Sequence, residues 1–304
     1  MYTTNEYGKI TKDTGFFPNL ITNQGLDFIG NPVNLNMAFG VPDFTPCCSV
    51  GTGNNAPAYT DTTLQAWLTA SYNSSGSGCN VNTSYNAGPP AYWQGQRSWQ
   101  FAAGTATGNI AEIGVGTCPS GNPNSSSACP CFSRALVVDG SGNPTVIPVL
   151  ANEALTVTYV LQMYIDLTDT NYTMSLSGTS YSGVFRRAQI NTVGALGTSP
   201  INNVGGDRFE LSTYNGSIQG VTQFPTGTSS FVAATVGTYT NGTYYLPFSC
   251  TYSVNQGNFT GGITALMWSN YAVGNWQGSV SPAIPKTTSY AMTLNWNISW
   301  ARYP

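Results

Sequence analysis

Leu155, Val157, Tyr159, Leu161, Met163 and Ile165 occupy every second position of one run of the chain. Tyr290, Met292, Leu294, Trp296, Ile298 and Trp300 do the same in another. A side chain repeats on one face every second residue only in an extended strand, so these two runs predict strands buried on at least one face. In the first run the intervening residues include Val160 and Tyr164, so both faces are apolar and the strand belongs in the middle of a sheet. Shorter strand candidates are 98–103, 110–115, 132–138, 145–149, 184–190, 209–213, 231–236 and 243–248. Turn residues punctuate them. Asp139-Gly140-Ser141-Gly142-Asn143-Pro144 reads as a hairpin loop, and Asn241-Gly242 reads as a type I′ turn.

Helical spacing is scarce. Thr22–Ile29 fits one short helix, with Thr22 or Asn23 as cap and Gly30 as stop. Leu64, Trp67 and Leu68 lie at three- and four-residue spacing and predict a second over 61–70. The expected fold is therefore all-β, an antiparallel β-sandwich or jelly-roll-like architecture with one or two short helices. The Gly- and Ser-rich stretches 72–90 and 118–128 read as long surface loops.

Charge narrows the function. Only 7% of the 304 residues are charged, nine basic and twelve acidic, and there is no histidine. That excludes Ser–His–Asp and Cys–His relays and imidazole zinc sites. Nine cations do not supply the phosphate-neutralising patch of a nucleic-acid binder, so no nucleic-acid partner is expected. No apolar run is long enough to span a membrane, and the first fifteen residues lack the apolar core of a secretory signal, so neither a membrane nor export is expected. Beyond Glu210 there is no carboxylate, so the last 94 residues, 211–304, are charge-poor and hold no acid–base apparatus. The last strand, 290–302, is placed to complete the same sandwich. A surface soluble through neutral polar groups tolerates close packing against neighbours, which suits an assembly protein.

Each candidate for chemistry has a structural alternative. Gly51-Thr52-Gly53-Asn54-Asn55-Ala56 matches a dinucleotide-binding fingerprint in letters, but Pro57 and the missing βαβ pattern make it a plain turn. Asp166 and Asp169, with Glu153 upstream, could form a glycosidase carboxylate pair or a calcium site; the run Asp166–Asn171 reads first as a polar turn. Arg186-Arg187 reads as an interface or carboxylate-binding pair. Trp268, Tyr271 and Trp276 lie in a loop-like stretch and are the candidate exposed aromatics for receptor or subunit contact. The cysteines are Cys47, Cys48, Cys79, Cys118, Cys129, Cys131 and Cys250, with no CxxC pair. They read as reduced thiols, or as one or two late disulfides with Cys118 and the Cys129/Cys131 pair as partners. No catalytic, cofactor-binding or metal residues are assigned.

Several stretches occur together in order: Asn19–Asp27, Ser49–Gly53, Thr60–Leu64, Phe101–Gly116, Phe132–Asp139 and Pro148–Tyr159. This order resembles a family of tailed-bacteriophage virion proteins, tail-fibre or virion structural proteins, over residues 16–166, which implies a family-like N-terminal β region, 1–166, followed by a charge-poor C-terminal β region, 167–304. The resemblance implies a non-enzymatic, tail-associated subunit (fibre, collar or tail tip) located in the virion and assembled in the bacterial cytoplasm. Its partners would be other copies of itself and neighbouring virion proteins. A receptor-binding module for host surface glycan or a pilus, and a capsid decoration protein, are the alternatives. Within the shared stretches, Arg134 and Glu153 are expected to form a structural ion pair.

Overall fold

The computed structural model describes residues 1–30, 47–72, 82–116, 129–190, 209–270 and 274–303. The protein is mostly strand, arranged in antiparallel sheets with one helix among the described residues. Strands β1 (Tyr2–Thr4), β2 (Ile10–Asp13), β6 (Asn82–Asn86), β7 (Ala91–Phe101) and β12 (Ala154–Ile165) form one five-stranded sheet in the order β2-β1-β12-β7-β6. Strands β3 (Leu20–Ile21), β4 (Cys47–Gly51), β5 (Trp67–Tyr72), β9 (Glu112–Gly116) and β10 (Cys131–Leu136) form the facing sheet, ordered β3-β10-β9-β4-β5. A two-stranded ribbon of β8 (Gly108–Ile110) and β11 (Ile147–Val149) completes this first sandwich.

The alternating run at 155–165 is β12, and it lies centrally, between β1 and β7, as its two apolar faces require. It pairs with β7 from Leu155↔Phe101 to Ile165↔Ala91 without a register break. That register puts Leu155, Val157, Trp99 and Phe101 against Val50, Ile113, Val115 and Phe132 of the facing sheet, forming one buried core. Burying side chains of this size stabilises by about 1.5–3 kcal/mol each.

The second sandwich pairs unequal sheets. Six strands, β13 (Thr170–Leu176), β14 (Thr179–Ala188), β15 (Phe209–Tyr214), β16 (Ser229–Ala233), β19 (Ile263–Asn270) and β20 (Asn275–Ile284), run in the order β13-β14-β20-β19-β15-β16. Three strands, β17 (Thr235–Val236), β18 (Tyr245–Tyr252) and β21 (Met292–Ser299), face them. Leu211, Leu266, Ile263 and Val280 of the larger sheet meet Cys250, Tyr252, Met292 and Leu294 of the smaller one. The final strand thus pairs with β18 inside this second sandwich and does not complete the first.

Helix α1 (Asn23–Gly30) forms where its cap predicts: Thr22 Oγ1 accepts the Gly25 amide at 2.9 Å. The second expected helix is absent. Residues 61–66 are irregular and 67–72 are β5, antiparallel to β4. The amides of Gln65 and Ala66 donate to the Glu112 carboxylate at 3.0 and 2.7 Å, so they are not available to close a helical turn. At Asn241-Gly242 the turn closes from the Thr243 amide to the Thr240 carbonyl, with a positive φ at Gly242 but not at Asn241. That is the type II pattern rather than type I′.

Candidate functional site

Several segments of the N-terminal half converge on one buried carboxylate. Glu112 in β9 is fully buried, and its oxygens accept from the amides of Gly53 (3.1 Å), Gln65 and Ala66. Arg134, from the neighbouring β10, donates to the same carboxylate through Nε (3.0 Å) and Nη2 (2.8 Å). Its Nη1 reaches Asp61 at 2.7 Å and its Nη2 also bonds the Asn55 carbonyl. Burial opposes the Arg134 charge, but the hydrogen bonds to Asp61 and Glu112 outweigh it and hold its pKa above the ordinary arginine value. The Gly51–Ala56 turn therefore does present a backbone amide to an anion, and the anion is the protein's own Glu112. A Cβ at Gly53 would lie 2.5 Å from that carboxylate, so glycine is required there by close approach.

The expected Arg134–Glu153 pair does not form. Glu153 instead accepts from Lys12 Nζ (2.9 Å), Thr11 Oγ1 (2.6 Å) and the Leu150 amide (2.9 Å). The hydrogen bonds from Thr11, Leu150 and Lys12 lower its pKa to about 2. The reason for the exchange is topological: Glu153 immediately precedes β12, the central strand of the sheet that also holds β1 and β2, whereas Arg134 lies in the facing sheet.

Cysteine pairing also differs from expectation. Cys129 is bonded to Cys47, while Cys131 is a free, buried thiol and Cys118 lies outside the described residues. Strand β9 lies between β4 and β10, and Gly116 pairs with Cys47 on one side and Cys131 on the other. A Cβ on Gly116 would sit 1.8 Å from the Pro130 carbonyl oxygen, so this glycine lets the chain from Cys129 pass close over β9. Burial pushes the Cys131 thiol up to about 12 and raises Cys48 as well, leaving both as protonated, unreactive thiols at neutral pH.

Trp268 and Trp276 are not loop residues. They are cross-strand partners on β19 and β20, both half-buried, and Tyr271 lies outside the described residues. The stretch reads as a loop because Gly274 precedes the strand, Gly278 lies within it and no clean alternation marks it. Phe185 stacks parallel to Trp276 at 6.5 Å and meets Trp268 edge-on at 5.3 Å. The Arg187 guanidinium lies over Trp276 at 4.0 Å and also 5.6 Å from Trp93 of the first sandwich. Sequence reasoning singled out Trp268 and Trp276 but missed Trp93, Phe185 and the part Arg187 plays here. The aromatic faces are engaged with one another and with Arg187, so the set forms a ladder joining the two sandwiches rather than an open stacking platform.

A second seam runs through α1. Tyr239 donates to Asp27 at 2.6 Å, Trp300 Nε1 to the Leu26 carbonyl at 2.9 Å, and Arg302 to the Ile21 carbonyl and Asn23 Oδ1. Tyr303 stacks on Tyr164 with ring centres 3.6 Å apart.

The acidic group around residue 166 resolves into separate duties. Asp166 accepts the Thr168 amide at 2.8 Å, an Asx turn as its sequence suggests, and Asp169 pairs with Arg186. Among the described residues no His/Cys/Asp/Glu group is arranged to hold a metal ion, and no helix is long and apolar enough to cross a membrane. Comparison of the chain with protein-family models, curated proteins and solved structures finds no match.

Proposed function

We propose that this chain is a structural subunit of a bacteriophage virion, associated with the tail, that works by packing against copies of itself and neighbouring virion proteins rather than by catalysis. The observation that carries the reading is where its few charges reside. Lys12, Arg97, Arg134, Arg186, Arg187, Lys286 and Arg302 are each buried or bound into the fold. Lys9 is the exposed lysine among the described residues. The remaining surface is charge-poor, with exposed carboxylates at Glu6, Asp13, Asp139 and Asp166, and it carries Tyr7, Phe16, Phe231 and Tyr303, each more than half exposed. A charge-poor surface with aromatic anchors suits assembly interfaces, because every ion desolvated at an interface costs several kcal/mol unless well paired. The resemblance over residues 16–166 supplies the virion context.

Locating the chain in a cryo-EM reconstruction of intact particles tests the proposal. Density for the two joined sandwiches on the tail is the expected result. Density on the head shell would replace the tail assignment with capsid decoration, and a particle lacking the chain would reject the virion role.

A further inference from the structure

The six-stranded sheet ends on β16, and no strand among the described residues pairs with its outer edge. At the two ends of the β15–β16 ladder, the Asn215 amide donates to the Thr228 carbonyl and the Ala234 amide to the Phe209 carbonyl. Bonded and unbonded residues alternate along an antiparallel ladder, so Ser230 and Val232 bond to β15 while Ser229, Phe231 and Ala233 turn their N–H and C=O outward. The side chains of those three are exposed, Phe231 by 62%, whereas Val232 packs against the core. Folded proteins blunt an open edge with a charge, a proline, a bulge or a very short strand. Strand β2 carries Lys12 and Asp13, and β3 and β17 are two residues long. Strand β16 has none of these devices, and its register with β15 runs without a shift. The other neutral edges of the second sandwich, β13 and β21, expose only Asn, Ser and Thr side chains.

The charge pattern selects the occupant. From Leu211 to Pro285 the chain has no Asp, Glu, Lys or Arg, so a two-fold antiparallel pairing of β16 with a second copy sets no like charges opposite each other. Phe231 then faces its own copy and Ser229 faces the copied Ala233, each facing pair exchanging two bonds, about six in all. Glu210 lies across from Ala233 on β15. Its copy would stand three strand spacings away, roughly 14 Å, beyond the screening length of about 8 Å at physiological salt. We propose that β16 is a self-association edge that joins two copies of this chain into one continuous sheet with Phe231 at its centre. The inference rests on the reading of the chain as an assembly subunit and names the surface used. Pairing occupies the edge of both copies, so the contact closes at two. It is small, so association depends on concentration.

Sedimentation equilibrium and residue-resolved hydrogen exchange on the full chain, over a range of concentrations, test the proposal. A monomer–dimer equilibrium is expected. The amides of Ser229, Phe231 and Ala233 should gain protection as the dimer fills, while those of Ser230 and Val232 are protected throughout. Phe231→Lys, which sets two ammonium groups against each other, is expected to weaken association at least about tenfold without moving the urea midpoint. Phe231→Tyr should retain the dimer, and Thr173→Lys on the β13 edge should leave it unchanged. A monomer at every concentration would overturn the edge. So would a dimer that survives Phe231→Lys, is lost in Thr173→Lys or leaves the three amides unprotected. Such a dimer would still show packing between copies, through another surface, and the particle reconstruction decides the virion role separately.

Discussion

The two sandwiches each pin a loop onto a sheet with one fully buried side chain, and they use opposite hydrogen-bond polarity. In the first, Glu112 gathers three backbone amides. In the second, Gln277 on β20 offers its Nε2 to the carbonyls of Gln219 (2.9 Å), Gly220 (3.1 Å) and Arg187 (3.3 Å), while its Oε1 accepts the Gln219 amide at 2.8 Å. A buried carboxylate needs a countercharge, and Arg134 supplies it. A buried amide needs none, which is why the region after Glu210 can be held together almost without charge. Lys286 is the exception: its ammonium is buried and held only by neutral acceptors, the Ser253 and Thr287 carbonyls and Asn258 Oδ1, with no carboxylate.

The sharpest way to break this contrast is Glu112→Ala, which leaves the buried Arg134 with Asp61 alone as countercharge, strands three amides and is expected to cost about 3–5 kcal/mol in urea unfolding. Adding Arg134→Met should recover a large part of that loss. A double variant as unstable as the single one would show that the charge is not what matters. Reducing the Cys47–Cys129 disulfide, which closes a separation of 82 residues, should cost about 2–4 kcal/mol and lower the melting temperature of the first sandwich. Gln277→Leu leaves carbonyls without donors but strands no ion, so a smaller loss of about 1–3 kcal/mol is expected, insensitive to salt. A salt-dependent loss would contradict the neutral account of the second sandwich.

The smallest effect is acid sensitivity through Glu153. Its pKa falls to about 2 in the folded state, below that of an unfolded glutamate, so its contribution is complete above about pH 4.5 and is lost as pH drops toward 2. Lys12 is 30% exposed, so solvent screening limits the contribution to about 1 kcal/mol. Urea midpoints from pH 5 to pH 2 should fall less steeply in Glu153→Gln than in the parent chain. Equal slopes would show that this carboxylate does not set the acid limb.

What was legible in the sequence is what depends on neighbours along the chain. The alternation of β12 and β21 and the Thr22 cap needed only local spacing. Strand β4, Cys-Cys-Ser-Val-Gly, is buried at every position and so shows no period to read. The apparent helix over 61–70 failed because a carboxylate far along the chain claims its amides. Glu112 itself looked like an ordinary residue between Ala111 and Ile113; only the adjacency of β4, β9 and β10 reveals its partners. The Trp93–Arg187–Trp276 ladder was likewise hidden, since its members come from both sandwiches.

The bond from Trp300 to the Leu26 carbonyl spans 274 residues, and this has a consequence for biosynthesis. At ordinary translation speeds of about 5–20 residues per second, α1 waits roughly 15–55 s on the ribosome before its capping tryptophan exists. During that interval the nascent first half displays a helix whose final cover has yet to be made, and a chaperone or a neighbouring nascent chain would meet it in that state.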